Sequence, residues 1–340
     1  YAINTHPAIA VSAGSAIKLL VIAPGETAAP GTTIGLTGSA SNQVTGAQFT
    51  VTVNCTDANW NLVTTVTQEM KVITSDANDT EPASAFLVSG SKAYNITFKT
   101  IGTWTVTADD IDVASPTYTS YTHSAITVAT GPAVKLQLLV PGETAAYGTT
   151  TGKTGTPTDR TAGLSFNVTV NCVDADWNLV TSGANPTVGI TATDSNVVLP
   201  SDQQLASGTR TYAVTFKTAT GSGWTITATD VDGIAPTYTS NTSPSIKTVP
   251  NTAVKLQLLL PGETANAGNT ANDGRTGNAS SQIVGTSFTT TVNCVDANWN
   301  INTTTSPQVT VSTSDTFDTE PTGNLSNGTN TFNITFKKTG

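Results

Sequence analysis

The sequence reads Phe49-Thr50-Val51-Thr52-Val53-Asn54-Cys55-Thr56-Asp57-Ala58-Asn59-Trp60-Asn61 over thirteen positions, and this stretch decides the fold. It returns twice, from Phe166 to Asn178 and from Phe288 to Asn300. Apolar and polar residues alternate over its first half, which is the period of a half-buried strand. Asp and Asn then break the alternation, as is typical of a turn. Each copy therefore predicts a core strand that runs into a polar turn containing a Trp.

Other landmarks recur in step with this stretch. Pro24-Gly25-Glu26-Thr27 returns at Pro141 and at Pro261, so the period is about 118 residues. A unit of that size is a whole domain and can bury a core of its own. The sequence therefore predicts a tandem array. Its parts are residues 1–12 as the last strand of a preceding unit, 13–130 and 131–250 as complete units, and 251–340 as a third that lacks its last two strands.

Within a unit the patterns predict seven strands, and no segment carries a sustained apolar period of 3.6 residues. Short alternating strands separated by turns are typical of an antiparallel β-sandwich, so we expect an all-β fold. The polar connection over residues 24–46 is long for a loop and is a candidate for a short edge strand. In the first unit we expect strands at 16–22, 48–55, 70–74, 85–88, 93–99, 103–108 and 117–128.

Composition excludes several classes of function. Charged residues make up 11% of the chain and the formal net charge is −9, whereas a nucleic-acid partner favours a basic surface. No apolar run approaches the roughly 18 residues of a membrane-spanning helix. The chain has two histidines, His6 and His123, so catalytic triads and zinc sites lack their usual residues. We therefore expect no enzyme, no nucleic-acid partner and no membrane span.

One Cys falls in each unit, on the apolar face of its strand. A single Cys cannot form a disulfide within its unit, and a small buried hydrophobic residue is the favoured interpretation. A disulfide between chains is the alternative, but it requires an exposed thiol, which the alternation opposes. We expect buried, reduced and unlinked thiols at Cys55, Cys172 and Cys294, beside Phe49, Phe166 and Phe288.

The ends of two predicted strands resemble the tandem immunoglobulin-like domains of invasin- and intimin-type bacterial surface proteins. The residues that carry this resemblance are Asp57-Ala58-Asn59-Trp60-Asn61-Leu62-Val63 and Val106-Thr107-Ala108-Asp109, with their counterparts. The resemblance implies immunoglobulin-like sandwiches strung end to end in an exported, rod-forming chain, and it implies no catalytic residues. Such modules commonly have Gly where this chain has a Trp, so the turn departs from the family pattern at Trp60, Trp177 and Trp299.

Acidic residues gather in loops that we place at the end of each unit facing the preceding one. Carboxylate and amide oxygens at a domain junction are suitable ligands for Ca²⁺, which takes six to eight oxygens. The alternative is that Asp and Asn only form turns and keep the loops soluble. The candidate calcium ligands are Asp57, Asp109, Asp110, Asp112, Asp174, Asp230, Asp232 and Asp296.

Two further kinds of site are possible on the surface. A loop Trp can stack on a sugar, although such a Trp more often closes its own core or packs against a neighbouring domain. Asn-x-Ser/Thr motifs are glycosylation acceptors, although a chain rich in Ser and Thr contains several by chance. The candidate glycosylation sites are Asn78, Asn95, Asn167, Asn241, Asn302 and Asn333.

Two functions fit these observations. The first is a structural subunit of an extracellular fibre, surface layer or stalk of a prokaryote, with other copies of itself as partner. The second is an adhesin that binds a glycan or a cell-surface receptor. The incomplete units also have two explanations, a longer array or strands donated by the next subunit. The longer array is favoured, because Tyr1–Val11 supplies one strand where two are missing.

Overall fold

The structure is a computed structural model of the 340-residue chain and describes residues 1, 3, 5–112 and 115–340. These residues form strands and turns, with a single 3-10 turn at Ala271–Gly274, so the all-β prediction is confirmed. The chain divides into two compact structural units, which differ from the repeating units of the sequence. The first comprises residues 1–133, 146–153 and 173–180, and the second comprises residues 134–145, 154–172 and 181–340.

We call residues 13–130, 131–250 and 251–340 repeats 1, 2 and 3. These boundaries come from the sequence and stay a prediction. The strands of repeat 1 are β1 (Lys18–Ile22), β2 (Glu26–Ala28), β3 (Leu36–Gly38), β4 (Gln43–Val44), β5 (Phe49–Thr56), β6 (Glu69–Thr74), β7 (Ala85–Phe86), β8 (Ser91–Ile96), β9 (Gly102–Trp104), β10 (Val106–Asp110), β11 (Tyr121–Thr122) and β12 (Ile126–Ala129).

The strands of repeat 1 form small sheets around one core. Strand β5 lies between β1 and β8, β6 and β10 pair between β7 and β11, and β12 lies between β4 and β9. All these pairs are antiparallel except β4 with β12, which is parallel. The core contains Val51, Val53, Phe98 and Val106, among others. The alternation along β5 thus selects the core residues as the sequence predicts.

The predicted connection over residues 24–46 contains three short strands, β2, β3 and β4. Two predicted strands are also each divided in two. Residues 103–108 break at Thr105, because β9 pairs with β12 whereas β10 pairs with β6. Residues 117–128 divide into β11 and β12 for the same reason, since β11 pairs with β10. A chain that changes sheets at the edge of a sandwich must bend there, which a seven-strand prediction does not capture.

The second unit holds the remaining strands, and the pairing of repeat 1 recurs in it. Strand β17 lies between β13 and β20, and β28 lies between β25 and β31. Its strands are β13 (Lys135–Leu139), β14 (Glu143–Ala145), β15 (Lys153–Gly155), β16 (Arg160–Thr161), β17 (Phe166–Val173), β18 (Thr187–Ala192), β19 (Gln203–Gln204), β20 (Thr209–Val214), β21 (Thr220–Trp224), β22 (Ile226–Asp230), β23 (Asn241–Thr242), β24 (Ile246–Val249), β25 (Lys255–Leu259), β26 (Glu263–Ala265), β27 (Arg275–Gly277), β28 (Phe288–Val295), β29 (Gln308–Thr310), β30 (Thr322–Asn324) and β31 (Thr329–Ile334), of which β15 and β17 each have one residue in the first unit.

The leading segment differs from its prediction. Its described residues form no strand, and Ala2 and Asn4 lie outside the described residues. Ile9 and Val11, which have the apolar alternation of a strand, are exposed. A strand is defined by its hydrogen-bonded partner, and the described part of the chain offers none to this segment.

The three cysteines are buried and free, as the sequence predicts. Cys55 belongs to the same core cluster as Phe49, and Cys294 to that of Phe288. Burial, followed by the nearby Asp110 carboxylate, raises the pKa of the Cys55 thiol to about 12. The thiolate is the reactive form, so this thiol is inert while the protein is folded.

We expect a bulky thiol reagent at pH 8 to leave all three cysteines of the folded protein unmodified for hours. Denaturant should expose them together, and intact mass should then rise by three labels. Rapid labelling of Cys55 without denaturant would contradict its burial in the core.

Candidate functional site

Each copy of the opening stretch ends in a turn held by one Asp. The Asp57 Oδ1 atom accepts hydrogen bonds from the backbone N–H groups of Asn59 at 2.9 Å and Asn61 at 3.0 Å. Its Oδ2 atom accepts one from Gly14 at 2.8 Å, and the Asn61 side-chain amide donates to both oxygens. The carboxylate therefore fixes the turn and ties it to the chain that enters repeat 1.

These donors make the Asp57 carboxylate unusually acidic. The Gly14 N–H is the largest cause, and with the Asn61 and Asn59 groups it lowers the pKa of Asp57 to about 2. A carboxyl whose pKa is lower in the folded state stabilises that state above its unfolded pKa of about 3.9. The contribution is lost as pH falls through about 2.

We expect Asp57→Asn to weaken the protein at pH 5 and to have a smaller effect at pH 2, because the native carboxylate is then being protonated. Urea midpoints of both proteins at pH 5, 3 and 2 measure this convergence. Other acidic groups titrate equally in the two proteins, so a difference that stays constant across this range would contradict the role of Asp57.

The Trp in each turn has a left-handed backbone, with φ of 66° at Trp60, 69° at Trp177 and 66° at Trp299. Glycine adopts this conformation without strain, which accounts for the Gly commonly found there in the family that the sequence resembles. The contacts of the Trp60 ring offset the strain of this backbone conformation. The Lys18 ammonium lies 3.4 Å from its centroid, its Nε1 donates to the Thr33 carbonyl at 3.3 Å, and Gly35 packs close against it. These contacts occupy the ring that sugar stacking would need.

In the first unit, the turn of residues 174–178 contacts the loops of repeat 1. The Asn178 amide donates to the Lys99 carbonyl at 2.8 Å, and its Oδ1 accepts from the Ile101 N–H at 3.1 Å. Asp174 Oδ2 accepts from the Thr45 hydroxyl at 2.5 Å and from the Gly131 N–H at 3.1 Å. Asn178 is 0% exposed. We call this set of contacts the Asn clasp.

The second unit contains an Asn clasp of the same design. The Asn300 amide donates to the Lys217 carbonyl at 2.9 Å, and its Oδ1 accepts from the Ala219 N–H at 2.7 Å. Asp296 Oδ2 accepts from the Asn251 N–H at 2.9 Å. In each clasp one Asn side chain forms hydrogen bonds with backbone groups of the loop. The position of the loop is therefore fixed without a contribution from the side chains of the loop.

A second Asp in each repeat shapes the loop that the clasp grips. Asp76 Oδ2 accepts from the N–H groups of Lys99 at 2.8 Å and Thr100 at 2.9 Å. Asp194 and Asp315 hold the counterpart loops in the same way. Our sequence reasoning missed Asp76, Asp194, Asp315 and the clasp residues Asn178 and Asn300. The available signal was their recurrence at one place in every repeat.

The predicted calcium ligands lie on strands β10 and β22 or in the turns and loops that follow strands. Asp57, Asp174 and Asp296 hold the turns described above, and Asp109 is exposed. Asp110 accepts from the Tyr118 N–H at 2.9 Å, Asp112 from the Gln68 amide at 3.2 Å, and Asp230 from the Tyr238 N–H at 3.1 Å. Asp232 accepts N–H groups from Ile234 at 2.8 Å and Thr187 at 3.0 Å, which lower its pKa.

Among the described residues, no three or more His, Cys, Asp or Glu side chains form a group that could hold a metal ion. Calcium binding at the junctions stays a prediction. If it occurs, chelation should loosen the junctions without unfolding the sandwiches. Thermal unfolding and solution scattering, with and without EDTA, test this prediction, and identical results would contradict it.

The predicted glycosylation sites differ in access. Asn95, Asn167 and Asn333 are exposed on strands. Asn302 is buried and donates to the Asn251 carbonyl at 2.8 Å, while Asn78 donates to the Tyr147 carbonyl at 3.2 Å. Asn241 is half-buried and accepts from the Leu138 N–H at 3.0 Å. A glycan attaches at the side-chain nitrogen, so the exposed sites suit it best, and glycosylation stays a prediction.

The two histidines differ in burial. His123 is buried and its Nε2 lies 2.7 Å from Glu26 Oε2, whereas His6 is exposed. Across the described residues, no helix is long and apolar enough to cross a membrane.

Comparisons with known proteins find likenesses among solved structures. No family model matches the chain, and neither does any curated protein. Invasin, a bacterial integrin-binding protein, is 16% identical over 95% of this chain and 55% of that one, with a TM-score of 0.27. The D0-D1 domain of intimin is 14% identical over 61% of this chain and 94% of that one, with a TM-score of 0.24. Invasin and intimin are the proteins whose domains the sequence resembles.

Two other likenesses have comparable scores. Domains 5-6 of the S-layer protein SbsC are 18% identical over 62% of this chain and 93% of that one, with a TM-score of 0.22. β-Glucuronidase 3 of Bacteroides uniformis is 12% identical over 60% of this chain, with a TM-score of 0.24. The chain spans 23% of the length of that enzyme.

Proposed function

We propose that the chain is a structural part of an extracellular fibre, surface layer or stalk on a prokaryotic cell, built from immunoglobulin-like modules joined end to end. The observation that carries this proposal is the repeated Asn clasp. Asn178 and Asn300 occupy the same place in successive repeats, are 0% and 1% exposed, and bond the same two backbone groups of the loop they grip.

A clasp of this kind suits a load-bearing array. Each clasp combines a buried amide with a carboxylate that accepts several N–H groups, and bonds to a charged acceptor are stronger than neutral ones. The links that join the repeats, 130–133 and 249–252, are short and contain Pro, which limits their freedom. Within each unit the clasp holds the turn of one repeat against a loop of another, and a fibre or lattice requires contacts of this kind, which a flexible tether lacks.

Antibodies against the 340-residue chain, applied to intact producing cells and imaged by electron microscopy, test the proposal. We expect labels along a regular fibre, lattice or stalk. Labelling confined to the cell interior would overturn it. If the labels are scattered, and the purified monomer retains one glycan or receptor on an array, the adhesin function replaces the structural one.

A further inference from the structure

The first Asn clasp has a companion contact that runs in the opposite direction. Asn178 of repeat 2 reaches the backbone of repeat 1, whereas Asn78 of repeat 1 reaches the backbone of repeat 2. The Asn78 amide donates to the Tyr147 carbonyl at 3.2 Å and to the Thr100 hydroxyl at 3.0 Å, so both of its donors are used. We call this contact the counter-clasp. The two repeats are joined by one amide side chain from each side.

The second unit contains a counter-clasp of the same design. The Asn196 amide donates to the Ala267 carbonyl at 3.4 Å and to the Thr218 hydroxyl at 3.1 Å. The acceptor on the other repeat is a backbone carbonyl in both counter-clasps, which is why a Tyr at position 147 and an Ala at position 267 serve equally well. The counter-clasp therefore depends on how close the two backbones lie, not on the side chain that carries the acceptor.

A glycine lies beside the acceptor of the first counter-clasp. Gly148 follows Tyr147, has a φ of 72°, and donates its N–H to the Asp176 carbonyl at 2.7 Å. A Cβ built on Gly148 would collide with the Thr100 hydroxyl oxygen and would lie 2.9 Å from the Cβ and Nδ2 atoms of Asn78. A Thr side chain is branched at Cβ and stiff, so Thr100 cannot turn away without losing its bond to Asn78. The contact between the repeats occupies the space that a side chain at position 148 would need.

Gly268 is the counterpart of Gly148 in the second unit. It has a φ of 81° and donates its N–H to the Asn298 carbonyl at 2.8 Å. A Cβ there would collide with the Thr218 hydroxyl oxygen and would lie 2.9 Å from the Asn196 Nδ2 atom. Gly183 has a similar φ of 75°, yet a Cβ built on it would meet no atom within 4 Å. The crowding therefore belongs to the contact between repeats and not to the backbone conformation.

A second glycine faces each clasp from the receiving repeat. A Cβ on Gly46 would lie 2.9 Å from the Asp176 Oδ2 atom. A Cβ on Gly163 would collide with the side-chain nitrogen of Asn298. Glycine on both sides of the contact brings the two backbones close enough for one amide side chain to span them.

We propose that these amide and glycine positions determine which repeat can follow another in this chain. The preceding repeat supplies Gly46 and Asn78, and the following repeat supplies Gly148 and Asn178. The partner that fits this surface is a repeat of the same kind, and a larger residue at position 148 excludes it. This inference rests on the proposed function, because it states how one module of a structural array recognises the next.

A pair of substitutions that compensate in size tests the proposal in the full chain. Gly148→Ala should raise the amide exchange rate at Ile101 by roughly tenfold or more, because the added Cβ overpacks the contact. Thr100→Ala removes the colliding oxygen, so the double variant should exchange more slowly at Ile101 than Gly148→Ala alone. Gly183→Ala is the matched control. It imposes the same backbone strain without a collision and should leave exchange at Ile101 unchanged.

Thiol labelling shows that each variant is folded. Cys55 and Cys172 are buried, so they should resist a bulky reagent in all four variants. Unchanged exchange at Ile101 in folded Gly148→Ala would overturn the proposal. Failure of Thr100→Ala to slow the exchange of Gly148→Ala would overturn it as well, because the collision would then lie elsewhere.

Peptide mapping of the native protein by mass spectrometry provides a measurement without substitutions. Asn78 lies in a glycosylation motif, and a glycan on its nitrogen would remove one of the two donors and crowd Gly148. We expect Asn78 to be unmodified, whether or not the exposed Asn95 carries a glycan. Full occupancy of Asn78 by a glycan would overturn the counter-clasp.

The two proposals fail separately. If Gly148→Ala leaves Ile101 unchanged but antibodies decorate a regular surface structure, the role of these positions fails while the structural function stands. If Thr100→Ala restores slow exchange but antibodies label only the cell interior, the structural function fails while the recognition between repeats stands.

Discussion

Replacing Asn178 by Ala is expected to destabilise the folded chain by about 2–4 kcal/mol, because a buried amide with partners on two repeats is removed. Its Nδ2 donates to Lys99, its Oδ1 accepts from Ile101, and its amide also bonds Asp174. Ala provides none of these bonds. It leaves a carbonyl and an N–H unpaired, and the cost of an unpaired buried group exceeds the gain from a single exposed bond.

Asn61→Ala is the matched control, because Asn61 makes the bonds to its own Asp but none to another repeat within the described residues. We expect it to cost about 1 kcal/mol. Guanidinium unfolding measures the free energies, and amide hydrogen exchange at Ile101 reports the clasp directly. Equal costs for the two variants, with unchanged exchange at Ile101, would show that the clasp adds no stability.

Local patterns predicted the parts of the fold that depend on neighbouring residues. The alternation along residues 49–55 identified β5 and the buried Cys55, because side chains on a strand point alternately to opposite faces. The alternation was wrong at Asn54, which it places on the polar face although the residue is buried. The Ser91 hydroxyl donates to the Asn54 side chain at 2.7 Å, so the buried amide oxygen has a partner. A buried polar group with a partner from another strand cannot be recognised from one strand alone.

The clasps depend on partners far apart in the sequence, and periodicity contains no information about them. Asn178 meets Lys99, and Asn300 meets Lys217, across about eighty positions. The sequence placed acidic residues at the junctions but could not show that N–H groups surround Asp174. It also could not show that Trp60 has a positive φ or that Lys18 and Gly35 pack against its ring.

Phe98→Ala is expected to have the largest effect of any single truncation in repeat 1, about 3–5 kcal/mol. Phe98 is fully buried, and its ring lies 5.3 Å from that of Phe49, centroid to centroid. Removing it loses the transfer free energy of the ring and leaves a cavity among side chains held by strand pairing, which cannot close. Phe86→Ala, at an exposed position, should change stability by less than about 0.5 kcal/mol.

Phe336 holds the same place in repeat 3, and its ring lies 5.1 Å from that of Phe288, yet it is partly exposed. We expect Phe336→Ala to cost only about 1–2 kcal/mol in the dilute monomer, because the ring is still partly in contact with water. Urea unfolding of the three variants measures the difference. A Phe98→Ala cost below about 1.5 kcal/mol would contradict the burial of this ring in the core.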